Sequence, residues 1–386
     1  MSQILNYFCG VSGIYIHIPF CKQQCHYCDF HFSTSLKTKE DLLNALVHEM
    51  KIQSSFLAGT KIRTIYFGGG TPSILSQDEI NALFEALHKT FEVDNVEEIT
   101  IEANPDDLTE QKVKELKDTP INRFSIGVQS FQAKDLEYMN RAHNVHQAKD
   151  SIKRVQDAGW ENITIDLIYG TPTLNHEQWQ ENMQTVIDIN VPHLSAYGLT
   201  IEEKTPLHHA IKKGKQLPLD EEKNKVQFEM LMDFIPKNGL EQYEISNFAK
   251  KGYQAKHNGS YWTDEKYLGL GPSAHSFDGE RRIWNISNNI RYINSIKKGQ
   301  LNNDFEVLSQ EQRFNEYILT SLRTKEGCDL DYVKSRFSPF LVDFLTFSIK
   351  KWRKNGEIEQ KGRFLVLTKK GKLVADWVAS ELFYIN

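Results

Sequence analysis

From about residue 13 to residue 240 the chain alternates between two hydrophobic periods. Apolar residues at every second position in "GIYIHIPF", "KIRTIYFGGG", "EEITIEANP", "RFSIGVQS", "ENITIDLIYG" and "HLSAYGLTIE" predict six strands. Helical spacing in "TKEDLLNALVHEMKIQSSFL", "SQDEINALFEALHKTF", "TEQKVKELK", "HQAKDSIKRVQDAGW", "NHEQWQENMQTVIDI" and "EEKNKVQFEMLMDFI" predicts a helix after each strand. The second helix opens on a capping-box pattern, Ser76 and Glu79. Alternation of this kind points to an α/β fold with parallel strands and outer helices. Three of the strands carry one aliphatic face and one small or polar face: Thr100 and Glu102, Thr164 and Asp166, and Ser125, Gly127 and Gln129. A strand sandwiched between helix layers is apolar on both faces. The polar faces therefore predict an incomplete, TIM-like (β/α)6 barrel around a wide, wet cavity.

Past residue 240 the pattern weakens. "KHNGSYWTDEKYLGLGPSAHSF" is Gly-rich and aromatic and reads as a loop-built site or a connection. From about residue 305, helical segments are followed by a hairpin pattern, "EIEQKGRFLVLTKKG", and a last helix, "KLVADWVASELF". This predicts a small, mainly helical, winged-helix-like domain. The expected organisation is a tail at 1–12, the partial barrel at 13–240, a connecting region at 241–304 and the C-terminal domain at 305–386.

Composition narrows the class. The 386 residues are 40% hydrophobic with a net charge of −5. No apolar run approaches the ~20 residues of a spanning helix. The first residues, "MSQILNYFCGVSG", lack the basic and apolar regions of a secretory signal. The expectation is a cytoplasmic protein, in which clustered cysteines bind metal or do redox chemistry rather than pair as disulfides.

Three of the five cysteines fall in one loop after the first strand, "CKQQCHYC": Cys21, Cys25 and Cys28. Structural zinc sites are closed by four protein ligands, and iron–sulfur clusters usually take four cysteines. The nearest spare cysteines, Cys9 twelve residues upstream across a strand and Cys328, read as structural. Three thiols without a fourth suggest a [4Fe–4S] cluster with one iron open to a non-protein ligand. Zinc completed by His17, His26 or His31 is the alternative. Further polar candidates fall near the ends of successive strands, where β/α barrels build their sites. These are the glycines of "GGGTP" (68–72), Glu102 as acceptor for an amine, Gln129 and Arg141 for a carboxylate or ribose, and Asp166 for ribose hydroxyls.

The CxxxCxxC loop after a first strand resembles the signature of the radical S-adenosylmethionine (SAM) enzymes. "YIHIPFCKQQCHYCDF" is closest to their coproporphyrinogen-dehydrogenase-like branch. The resemblance covers nearly the whole chain and implies that SAM's amino and carboxylate groups chelate the open iron. In that family an electron from the cluster cleaves SAM to a 5′-deoxyadenosyl radical. By matching motifs it assigns SAM contacts to Tyr15, Gly69, Gly70, Thr71, Glu102, Gln129, Arg141 and Asp166, with Tyr27 beside the adenine.

Coproporphyrinogen dehydrogenases carry a further Cys two residues after the third cluster Cys, and a longer N-terminal extension. Here that position is Phe30 and the extension is short. "HNGSYW", from His257 to Trp262, fits the HNxxYW motif of the HemW-like heme chaperones in the same branch. That resemblance implies heme as a ligand, His257 as its axial ligand, Tyr261 and Trp262 against a porphyrin face, and transfer to a heme-accepting protein. His275 is a second candidate ligand. The competing expectation is oxygen-independent oxidative decarboxylation of coproporphyrinogen III. Between Lys350 and Lys372, nine Lys or Arg accompany two Glu. This run reads as a solvated face, or as a docking surface for a membrane or for an acidic partner such as a flavodoxin- or ferredoxin-type electron donor. No base-reading helix is apparent, which argues against nucleic acid.

Overall fold

The computed structural model describes residues 11–262 and 265–385. Cys9 and almost all of the expected tail lie outside the described residues. The six predicted strands are present: β1 (Val11–Ile18), β2 (Lys61–Gly69), β3 (Glu98–Ala103), β4 (Arg123–Gln129), β5 (Ile163–Tyr169) and β6 (His193–Gly198). They pair in chain order and in parallel, forming the centre of one curved sheet. Six helices follow them as expected: α1 (Lys39–Ile52), α2 (Gln77–Thr90), α3 (Glu110–Leu116), then, after a short α4 (Ala133–Tyr138), α5 (Val145–Asp157), α6 (His176–Ile189) and, after a short α7 (Pro206–Lys212), α8 (Glu221–Lys237). The Ser76–Glu79 capping box forms as the sequence predicts, and Asn144/Gln147 and Asn175/Gln178 cap α5 and α6 in the same way.

The alternation along the strands decides what lies inside. Ile14, Ile16, Ile65, Phe67, Ile99, Ile101, Phe124, Ile126, Ile163, Ile165 and Leu194 are buried in one core with the apolar stripes of the helices. The intervening residues face the barrel interior. Parallel register sets Glu102 beside Ser125 and Asp166 beside Ser195, so polar groups meet in layers.

The region after α8 is more regular than its composition suggests. β7 (Glu241–Glu244) and β8 (Asn247–Ala249) pair antiparallel beside β6. α9 (Lys256–Ser260) follows, and then β9 (Lys266–Leu270), β10 (His275–Phe277) and β11 (Arg281–Asn285), α10 (Asn289–Lys297) and β12 (Asn303–Val307). β9 runs parallel to β1 on its other side, and β10 to β12 extend that edge antiparallel. The expectation of a loop-built connection is thus corrected: these residues complete a twelve-stranded sheet. Gly269 hid the strand, because a Cβ there would run into the backbone of His275 where β9 meets β10.

A second core begins at Phe314. α11 (Gln310–Arg323), β13 (Cys328–Asp329), α12 (Leu330–Arg336) and α13 (Pro339–Asn355) precede the hairpin β14 (Ile358–Lys361) and β15 (Phe364–Leu367), with β13 as a third strand. Short α14 (Lys369–Lys372) and α15 (Ala375–Ser380) close the chain. This is the three-helix-plus-hairpin arrangement that the sequence predicts. Cys328 is fully buried in its core. The basic run is largely matched in place: Lys351 pairs with Glu381, Lys361 with Glu359, Arg363 with Asp329, Lys369 with Asp233 and Lys370 with Glu357. No helix among the described residues is long and apolar enough to cross a membrane.

Candidate functional site

The barrel encloses a cavity of about 990 Å³, and Cys21, Cys25 and Cys28 all line it. The loop that carries them is stapled in place. Cys21 N donates to Ser33 O at 3.0 Å and Ser33 N to Pro19 O at 2.8 Å, closing its base. His26 N donates to Met139 O at 3.0 Å, Leu207 N to His26 O at 2.8 Å, and Asn140 Nδ2 to Gln24 O at 2.7 Å. Most of these anchors belong to α4, α7 and their flanks, two helices too short to stand out as periodic patterns in the sequence. The ion pair of Lys22 with Asp106, at 3.1 Å, ties the loop to the end of β3.

A chain of hydrogen bonds links the thiols of Cys21 and Cys25 to the strand ends. Thr71 Oγ1 donates to Cys21 Sγ at 3.4 Å and accepts from Asn104 Nδ2 at 3.1 Å. Asn104 Oδ1 accepts from Arg141 Nη2 at 2.7 Å, and Arg141 Nη1 donates to Cys25 Sγ at 3.1 Å. Arg141 also donates to the Gly127 carbonyl at 2.8 Å and to the Tyr27 hydroxyl at 3.4 Å, while its Nε is buried without a partner. Burial pushes the Cys28 thiol up to about 11 and also raises Cys21, so both are held as neutral thiols until a cation draws them to thiolates.

The three histidines that could complete a zinc site are turned elsewhere. His17 Nε2 bonds the His31 carbonyl at 3.0 Å and its Nδ1 the Tyr15 hydroxyl at 3.1 Å. His31 Nε2 bonds Asn289 at 2.7 Å, and His26 Nδ1 the Tyr138 carbonyl at 3.2 Å. Among the described residues no three His, Cys, Asp or Glu side chains stand close enough to grip a single ion. A zinc ion needs thiolates within about 2.3 Å of one centre, whereas a cluster spreads its ligands over separate irons. The donor set, three thiols with no fourth among the described residues on one open cavity, fits a cluster with a free corner.

Deeper in the cavity lie two carboxylates. Glu102 accepts from the Tyr66 hydroxyl at 2.8 Å and from Gly69 N at 3.2 Å. Burial, with Asp166 nearby, pushes its carboxyl up to about 7. Burial likewise raises Asp166 to about 6, against the hydrogen bond from Ser195 and the charge of Arg123. Acids held this way gain from a ligand that brings donors or positive charge. Two glycines shape the wall beside them. Gly69 has φ +110°, and a Cβ would strike the His17 ring; a Cβ on Gly70 would lie 2.7 Å from backbone atoms of Phe20. Gln129 ends β4 with φ +67°, which takes it out of strand geometry at the cavity edge. Every residue expected at the cluster or at SAM lines this one cavity: Tyr15, Cys21, Cys25, Tyr27, Cys28, Gly69, Gly70, Thr71, Glu102, Gln129, Arg141 and Asp166. Tyr66 and Asn104 join them. Tyr66 was legible as the inward partner of Thr64 and Gly68 on β2, whereas Asn104 just follows a strand and carried no signal.

His257 also borders the cavity, but from its floor. Glu98 accepts from the backbone N–H of Lys256 and of His257 at 3.0 and 2.9 Å, fixing α9 beneath the strands. The ring stacks on Tyr66 at 5.0 Å and bonds Thr64 Oγ1 through Nδ1 at 2.8 Å and the Tyr261 hydroxyl through Nε2 at 3.0 Å. Burial drives its pKa down to about 3, so it is a neutral imidazole. Both nitrogens therefore have partners, and access to Nε2 runs through Tyr261. Trp262 lies under the Arg323 guanidinium, 5.9 Å from the ring centre. His275 is exposed beside Trp284 on the added strands and does not line the cavity.

Residues 15–186 match the radical SAM superfamily. Over 372 residues the chain is 33% identical to the heme chaperone HemW of Bacillus subtilis, covering 95% of this chain and 98% of that protein. It is 35% identical over 326 residues to the heme chaperone HemW of Lactococcus lactis, covering 84% and 85%. The coproporphyrinogen III oxidase (HemN) of Escherichia coli has the same fold, with a TM-score of 0.83 over 97% of this chain and 90% of that one, at 20% identity.

Proposed function

Because the chain belongs to the radical SAM superfamily, in the branch of the HemW heme chaperones, we propose that it binds heme and passes it to an acceptor protein. A [4Fe–4S] cluster and SAM share the barrel cavity on this reading. The observation that carries it is the three-thiol loop facing a cavity whose remaining walls, among the described residues, supply carboxylates and two arginines rather than a fourth thiol. Cys21, Cys25 and Cys28 hold the cluster, which when bound supplies one-electron chemistry at the sulfonium of SAM.

The chain's own residues do the orienting. Glu102 accepts from the methionyl amine and needs its carboxylate form to do so. Arg141 and Gln129 hold the carboxylate or ribose, and Asp166 the ribose hydroxyls. Gly69, Gly70 and Thr71 bring backbone close to the methionyl group, with Tyr15 and Tyr27 flanking the bound cofactor. His257 is the axial candidate for heme. It is already neutral, the form that ligates iron, and swinging Tyr261 aside exposes its Nε2. Phe30, 70% exposed at the cavity rim, stands where the dehydrogenases carry a cysteine and favours carriage over oxidative decarboxylation. Reduction by a flavodoxin- or ferredoxin-type donor and docking to a membrane surface belong to the same proposal as its outer steps.

The test is anaerobic reconstitution followed by heme titration with and without SAM. Wild type is expected to bind heme, and His257→Ala to bind it at least tenfold more weakly, in line with loss of a metal ligand. Equal binding by His257→Ala removes the ligand assignment. Release of CO₂ from coproporphyrinogen in step with 5′-deoxyadenosine from SAM removes the carrier reading.

A further inference from the structure

Arg323 lines the same cavity from the C-terminal module, as does Asp376. Arg141 and Arg323 are the cationic side chains of that lining, and Arg141 is engaged with Cys25 and Asn104. Arg323 is the last residue of α11, and its backbone is locked: its carbonyl accepts from Ile245 N at 3.0 Å and the next residue bridges to Glu244. Two edges of its guanidinium are treated differently. Nε and Nη2 face Glu244 at 3.0 and 2.8 Å, a carboxylate whose side chain is 2% exposed and whose second oxygen accepts from Ser246 N and Asn247 Nδ2. Nη1 faces Asp376 at 2.9 Å, a carboxylate 79% exposed at the start of α15.

The inner pair fixes the guanidinium, and the outer pair is a loose, solvated contact worth little. We infer that Arg323 is a preorganised seat for a carboxylate of the ligand, and that Asp376 occupies this seat until the ligand's own carboxylate replaces it. Resting on the heme reading above, the ligand group is a propionate side chain of the porphyrin. An arginine held by a buried acid presents a planar N–H edge of fixed direction, the geometry suited to a carboxylate. Asp376, a negative charge at the rim, opposes an anionic ligand until it is displaced.

The experiment titrates the reconstituted full-length protein with heme and, in parallel, with heme dimethyl ester, whose propionates carry no charge. Arg323→Gln is expected to weaken heme binding roughly tenfold and to leave the ester unchanged. Asp376→Asn leaves the buried pair intact and is expected to tighten heme roughly threefold, again without effect on the ester. Arg323→Gln weakening heme and ester alike makes the arginine a clasp between module and barrel, and overturns the seat. So does wild type binding the ester as tightly as heme, or Asp376→Asn leaving heme affinity unchanged. Wild type that binds neither compound instead overturns the heme reading on which the seat depends.

Discussion

Replacing Glu102 by Gln is expected to stabilise the ligand-free protein at alkaline pH and at the same time to weaken SAM binding. Burial raises this carboxyl from 4.5 to about 7. A carboxyl raised on folding binds more protons in the native state than in the unfolded one between those two values, so stability falls as pH rises through that window and stays reduced above it. The full shift would correspond to about 3 kcal/mol at 1.36 kcal/mol per unit. Glu102 borders a wet cavity, and solvent screening reduces the cost to about 1–2 kcal/mol. The Tyr66 hydroxyl bonds one carboxylate oxygen at 2.8 Å and Gly69 N the other at 3.2 Å; Gln keeps one of these acceptors and sets its NH2 where the protonated acid carries its O–H, so the swap fixes the side chain in an uncharged form. Denaturant unfolding of ligand-free wild type and variant at pH 5 and pH 8 is the assay. The two should nearly coincide at pH 5, and the variant should be more stable by about 1–2 kcal/mol at pH 8. Calorimetry on reconstituted protein should show SAM affinity down at least tenfold, the loss of one charge-assisted contact. A variant less stable than wild type at pH 8, or one that binds SAM normally, refutes the reasoning.

Gly70→Ala drives a Cβ into the backbone of Phe20, the residue before Cys21, and is expected to cost about 1–3 kcal/mol and to lower iron content after reconstitution; thermal melts and iron assay check both. Tyr261→Phe leaves His257 Nε2 without its 3.0 Å partner while Thr64 still holds Nδ1, so heme should bind a few-fold more tightly, roughly the cost of breaking one neutral hydrogen bond; weaker binding contradicts a ligand role for Nε2.

Where sequence and structure agree, a repeated physical pattern made the element visible. Six β/α units show because strand and helix periods differ, and the polar inward face of β3, β4 and β5 showed because Thr100, Ser125, Thr164 and their neighbours interrupt an otherwise aliphatic alternation. Strands β9 and β10 escaped because glycine at 269 serves a close strand contact rather than a turn, and local composition does not separate the two uses. The cysteine loop was legible from spacing, but its anchors on Met139, Asn140 and Leu207 are long-range contacts without a motif. One partner of His257 was hidden for the same reason: Thr64 lies 193 positions upstream. The ion pairs of the basic run were not legible either, since Asp233, Asp329 and Glu381, which neutralise part of it, lie outside the run itself.

The most direct measurement is Mössbauer spectroscopy of anaerobically reconstituted protein, taken before and after adding SAM. The expected result is a [4Fe–4S] cluster held by Cys21, Cys25 and Cys28, in which a single iron changes its signature when SAM arrives. Zinc in place of iron, or a cluster whose irons are all indifferent to SAM, would contradict a corner left open for the cofactor.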